Sequence, residues 1–346
     1  MKKMLKYYFE KKILFIAVTT VILLALSFSF IHNKSFVSYS YPAPPYYIDY
    51  LKGPASPPIM FITIMACILT IIIPVIEFKF KMKKISIDQM YSLPIKRGKL
   101  YLTRFIFGFI EILIPITILF FDCIITILLS EHMFDMKYFF IYYLCLVGMI
   151  FILYSTVAFF FSRGNTIIDG IMNIGFITFL FVFAVMAFNS LKPNKNVHVW
   201  GSDFFIFSPL INISNYFMDK VCEKSVNNIG AAFNVDVLDE TQIFSLVMFI
   251  VIGIVSFILF YFINKNDKAE DSMQISNSWF SYKTFIPLYI ILLSLYGALS
   301  FDDLIFYIII SIMGFVAYVI YRRGLKFKKY DYIILFVIPL LVFIIL

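Results

Sequence analysis

Three carboxylates lie where hydrocarbon makes them costly: Glu111 and Asp122 inside one apolar run, and Asp169 at the start of another. In such a run an ionisable group carries protons or cations, touches a polar substrate, or is a structural carboxylate satisfied by a neighbouring helix. Glu111 and Asp122 are eleven residues apart, three helical turns, so they share one face, which is expected to look into a helical bundle. From residue types alone, Glu111, Asp122 and Asp169 are candidates for a translocation path, with the structural alternative beside it.

Other chemistry is sparse. The chain has no GxxxxGK[ST] loop to cradle phosphates, no HExxH zinc motif and no GxSxG elbow. His32, His132 and His198 sit in or beside polar loops without ligand spacing. Cys67, Cys123 and Cys145 lie in apolar runs and Cys222 alone in a polar one, which gives neither a disulfide framework nor a CxxC site. No catalytic residue, bound metal or cofactor of the chain's own is expected.

The densest polar feature is a basic island, Glu77 to Arg104, between two apolar runs. It carries Lys79, Lys81, Lys83, Lys84, Lys96, Arg97, Lys99 and Arg104. Pro94 stops a helix from running straight through it. The segment Ile85–Leu93 is therefore predicted to form a short helix along the membrane surface, with Ile85, Met90 and Leu93 as apolar contacts. Such a helix could receive a push from a cytosolic partner, or the basic loop could bind anionic lipid.

The elements that position these residues follow from composition. Hydrophobic residues make up 62% of the 346, aromatics 20% and charged residues 14%, more apolar surface than a soluble domain can bury. The prediction is an all-α polytopic membrane bundle of about eight or nine transmembrane helices. A window of about 19 residues places the spans at 13–30, 58–77, 105–129, 138–161, 167–188, 243–263, 284–300, 304–321 and 332–346. The first is read as a retained helix, because it is too long for a signal h-region and lacks a small-x-small cleavage site. With the N-terminus in the cytosol, 22 of the 29 Lys and Arg fall on the cytosolic side. The net charge of +8 lies in these short loops, so it reads as a topology and anionic-lipid signal and not as a nucleic-acid surface.

Two outward segments are more than turns. Residues 31–57 mix Tyr39, Tyr41, Tyr46, Tyr47 and Tyr50 with Pro42, Pro44 and Pro45, which suits a headgroup-zone anchor. Within 189–242, Ser208-Pro209 precedes Leu210, Ile213, Phe217 and Val221 at spacings of three and four, the pattern of an amphipathic helix on the outer leaflet. Pro209, Leu210, Ile213 and Phe217 are candidates for an outer gate or a passive cap.

Ile87-Asp88-Gln89-Met90-Tyr91-Ser92-Leu93-Pro94-Ile95-Lys96-Arg97, with Gly108 and Pro115 beyond, resembles the permease subunits of ABC-2 type transporters, in the branch common among low-GC Gram-positive bacteria. Their loop between the second and third helices carries a D-x-x-x-S-L-P-[IV]-x-R stretch, matched by Asp88, Ser92, Leu93, Pro94, Ile95 and Arg97. The similarity is good over about residues 58–120 and follows in hydropathy to 271, where Lys268, Glu270 and Asp271 resemble the charged end of the family's sixth helix. It implies an exporter-like core over 1–271, with a coupling loop at 77–104 and an extracellular loop at 189–242. Residues 272–346 would be additional helices that a six-helix permease lacks.

The resemblance further implies a bacterial plasma-membrane protein that exports a peptide, lipid or drug-like substrate. A soluble ATPase subunit would bind ATP and dock on Ile87, Asp88, Met90, Tyr91, Ser92, Leu93, Pro94, Ile95 and Arg97, and a second permease, identical or not, would complete the pathway. The alternatives from residues alone are an ion-coupled secondary transporter using Glu111 and Asp122, and a non-transporting sensor or scaffold using 189–242.

Overall fold

In a computed structural model, residues 2–31, 56–129, 136–190, 201–227, 238, 240–276, 278–300 and 304–345 are described. Among them every regular element is helical. The long helices are α1 Lys2–Ile31, α2 Ser56–Phe78, α4 Arg97–Leu129, α5 Met136–Ser162, α6 Ile167–Ser190, α7 Ser208–Asn227, α8 Glu240–Asn264, α9 Tyr282–Ser300 and α10 Leu304–Arg322. Short α3 Lys84–Tyr91 lies in the basic island, and α11 Lys329–Tyr332 and α12 Ile338–Ile345 close the chain. The Tyr- and Pro-rich anchor and all three histidines lie outside the described residues, as do 191–200, 228–237 and 239 of the long outer segment.

Seven of the described helices are long and apolar enough to cross a membrane: stretches of α1, α2, α4, α5, α6, α8 and α10. Two of the nine expected spans take another form. The apolar part of α9 is the shorter stretch Tyr282–Gly297. The last expected span is one uninterrupted helical run over 329–345, in which a π-turn at Ile333–Val337 joins α11 to α12. Pro339 has no N–H to offer the Leu335 carbonyl four residues back. Ser311 Oγ of α10 donates to that carbonyl instead, at 3.0 Å.

The described chain divides into two compact units, 1–74 with 99–155 and 209–254, and 75–98 with 156–208 and 255–346. Compactness groups the helices beyond 271 with α6. The division within α2 falls at Pro74, whose ring interrupts the helical hydrogen-bond ladder.

In the first unit α1 lies along α4 through Ile16, Phe107 and Ile114. Aromatic rings fill the space between α4 and α5, with Phe120 stacked on Phe139 at 4.8 Å and on Tyr143 at 4.5 Å. Gly253 of α8 meets α5 so closely that a Cβ there would collide with Ile152, the small-residue packing that brings helices together in lipid. The second unit is built on α6, α9, α10 and α12, around Tyr282, Ile286, Ile290, Ile310, Tyr318, Tyr321 and Leu335.

The end of α10 is unusual. Arg323 N–H bonds Ile320 O and Gly324 N–H bonds Val319 O, the pair that closes a Schellman motif. The left-handed position of that motif usually holds glycine, but here it holds Arg323 at φ 52°. Met273 at φ 65° is the other non-glycine residue in this region among those described, and each costs about 1–2 kcal/mol. Beyond the turn, Arg322 grips Asp331 with both carboxylate oxygens at 3.0–3.2 Å, and Asp331 also accepts from Lys328 N–H at 2.9 Å to start α11.

Candidate functional site

The basic island contains a short helix where one was predicted. α3 runs from Lys84 to Tyr91, beginning one residue before the expected Ile85 and ending two before Leu93. Its C-terminus is set by Pro94, which disfavours helical backbone at Leu93. Ser92 closes the last turn, its N–H on Asp88 O at 3.0 Å and its hydroxyl on Gln89 O at 2.9 Å. Arg97 lies over the Tyr91 ring at 4.6 Å.

The apolar face of α3 differs from the expected set. Ile87 is the fully buried residue, Met90 is half-buried, and Ile85 and Leu93 are 76% and 40% exposed. Asp88, Ser92, Pro94 and Arg97 are also exposed, while Tyr91 and Ile95 are half-buried. The helix therefore rests on Ile87 and leaves two large apolar side chains open.

Cationic side chains hold both ends of α3 to the residue Asp267, the first of them buried and the second exposed. Lys81, on the turn before it, donates to Asp267 Oδ2 at 2.7 Å and to Ser162 O at 2.6 Å. Arg97, after it, donates to the Asp267 carbonyl at 2.6 Å. Arg163 reaches the same carboxylate at 3.4 Å and also donates to Asn264 Oδ1. Asn264 in turn donates to Ser162 Oγ at 3.3 Å. Lys81 and Arg163 are 4–5% exposed, so the Asp267 carboxylate is what makes their burial tolerable. The turn that presents Arg163 is tight, because a Cβ on Gly164 would run into the backbone of Gly170.

Neither Lys81 nor Arg163 nor Asp267 stands out in the sequence, where the first two count as topology cations. The available signal was Asp267 as the first of three acidic residues in the polar segment just after α8, with Asn264 three residues before it.

The carboxylates inside the spans are engaged as follows. Glu111 accepts from Lys12 Nζ at 3.0 Å, and Asp122 from Ser27 Oγ at 2.7 Å. Both partners are on α1, so one face of α4 does present Glu111 and Asp122 together, toward that helix. Pairing Lys12 with Glu111 and Ser27 with Asp122 also makes α1 and α4 parallel, and they start on the same side. Asp169 meets Arg323 at 3.3 Å.

Removing Lys12 strands a carboxylate whose side chain is fully buried. Lys12→Met is expected to lower stability by about 1–3 kcal/mol, with Lys12→Met/Glu111→Leu recovering most of it. Thermal unfolding in lipid nanodiscs checks this, and an equal loss in the double variant would show that the pair is not the cause.

α7 is the amphipathic helix read from its stripe. Pro209 occupies its first turn, where a missing N–H costs little. Leu210 and Phe217 are buried and Ile213 is half-buried. Ser214, between them, hydrogen-bonds Thr63 of α2, which also bonds Tyr142 of α5 at 2.8 Å. Phe217 packs on the Tyr142 ring at 5.9 Å. The side chains of Val221 and Cys222 are outside the described residues.

No family model, curated protein or solved structure matches the chain. The functional reading therefore rests on the residues and their geometry.

Proposed function

We propose that this multi-pass membrane protein is the transmembrane subunit of an ATP-driven transporter, an exporter, and that α3 is the element on which a separate ATPase docks. The observation that carries the reading is the mounting of α3. The helix is held at both ends to Asp267, is seated on Ile87, and leaves Ile85 and Leu93 open. A helix mounted in this way transmits a push to the segments it is tied to, and two open apolar side chains suit a groove in a soluble partner.

The SLPI-x-R stretch supports the same reading, as does the absence of a phosphate-cradling loop, which requires ATP to be hydrolysed elsewhere. On this reading the side on which α1 and α4 both begin is the cytosolic face of a bacterial plasma membrane, because Lys and Arg are in excess in the segments beside those helix starts. A second permease subunit, a copy or a paralogue, would complete the pathway. The ion-coupled alternative gains nothing from Glu111 and Asp122, since α1 already engages both.

The test is purification of the tagged chain from its native membranes. The expected result is co-purification of a P-loop ATPase, with ATP hydrolysis in the complex and none by the chain alone. Purification without any such ATPase, from membranes where transport is active, would overturn the reading.

A further inference from the structure

We infer that Arg323 is a positioning residue through which the C-terminal helices hold the connector after α8, and with it the mounting of α3. The role in coupling rests on the reading of α3 just given, whereas the clamp itself does not.

The connector, 265–276, contains near its start the residue that tethers α3. Asp267 holds Lys81 and Arg97, and the turn Ala269–Asp271 packs against α3. Farther along, the connector is fastened to the α5–α6 turn, with Met273 N–H on Asn165 O at 3.0 Å and Ser276 Oγ on Arg163 O at 2.9 Å. Arg323 takes hold at the same point from the C-terminal helices. Its guanidinium donates to the carbonyl of Met273, to Gln274 O at 3.2 Å, and to Asp169 Oδ2 at 3.3 Å. One side chain thus joins the connector, the start of α6 and the end of α10.

The backbone at both ends of this contact is strained. A Schellman motif is best served by glycine in its left-handed position, and Gly324 is available one residue later. The chain places arginine there, and the arginine bonds the carbonyl of Met273, the other non-glycine residue held at positive φ among those described. Strained backbone persists where surrounding contacts over-determine it, and here each strained residue supplies the other's contact. A cap alone would not need the guanidinium, so the guanidinium is there for the connector and Asp169.

Arg323→Gly separates the two roles. Glycine keeps both capping N–H groups and removes the backbone strain, so a pure cap would be unharmed or improved. A clamp would be lost. Hydrogen exchange of the full chain in nanodiscs is expected to become about tenfold faster at 265–276 and at 84–93, with 305–322 unchanged.

Unchanged exchange in both segments would show that Arg323 only caps α10 and would overturn the inference. Faster exchange at 265–276 alone would overturn the link to α3. Should Arg323→Gly fail to insert, Asp169→Asn weakens the same clamp without touching the strained residue and is expected to loosen the same two segments. Unchanged exchange there would count equally against the clamp. Exchange needs no ATPase, so failure of the transporter reading, read from partner co-purification, remains separate.

Discussion

Asp267→Ala is expected to destabilise the protein by about 3–5 kcal/mol and to free α3 from its mounting. The carboxylate is shared by Lys81 at 2.7 Å and Arg163 at 3.4 Å, cations that are almost fully buried. Its loss leaves two buried positive charges facing each other with only carbonyl and amide oxygens to face. Asp267→Asn keeps the shape and one acceptor but not the charge, so a smaller loss is expected. The double variant Asp267→Ala/Lys81→Met removes one cation with its partner and should recover part of the stability, since a buried pair exchanged for apolar groups is often neutral. Thermal unfolding of the four proteins in nanodiscs measures this. A melting temperature for Asp267→Ala within about a degree of the parent would show that the network does not hold the island. The Arg97 bond is to the Asp267 backbone and survives all of these changes, so the effect belongs to the carboxylate.

That network also marks the limit of what was legible in the chain. Helices were legible where hydrophobicity persists over about 20 residues, because the bilayer leaves the backbone few other choices. α7 was legible from Leu210, Ile213 and Phe217, whose spacing survives in the fold as one inward face. Pro94 announced the end of α3 through backbone sterics alone. Lys81, Arg163 and Asp267 were not legible, since 82 residues separate the first two and 104 the last two, and nothing local distinguishes a buried cation from a topology signal.

For the same reason Lys12 read as a flank of the first helix rather than as the partner of Glu111. Arg323 was hidden by its own neighbour, because Gly324 is the residue that local rules would put in the left-handed position. The π-turn at Ile333–Val337 needed knowledge of Ser311 on another helix, whose hydroxyl donates to the carbonyl that Pro339 cannot satisfy. In each case the missing information is a long-range partner that allows an unfavourable local choice.

Leu93→Asp is expected to abolish ATP-linked transport while leaving insertion and folding intact. Leu93 is 40% exposed at the end of α3, so its own chain asks little of it. In a docked complex it would enter an apolar groove, and a carboxylate there costs several kcal/mol unless a cation meets it, about a thousandfold in affinity for each 4 kcal/mol. Ile85→Asp, on the other open apolar side chain of α3, should act in the same direction. Lys83→Ala should do little, because an exposed charge contributes about 0–1 kcal/mol. The measurement is co-purification of the ATPase with each variant, together with the hydrolysis it stimulates. Loss of partner and stimulation in both aspartate variants, with normal amounts of folded protein in the membrane, is what a docking surface on α3 requires. Retention of both by Leu93→Asp would make the island a lipid-binding loop. Lys83→Ala/Lys84→Ala would then weaken binding to anionic vesicles, which for a protein-docking helix it should leave nearly unchanged.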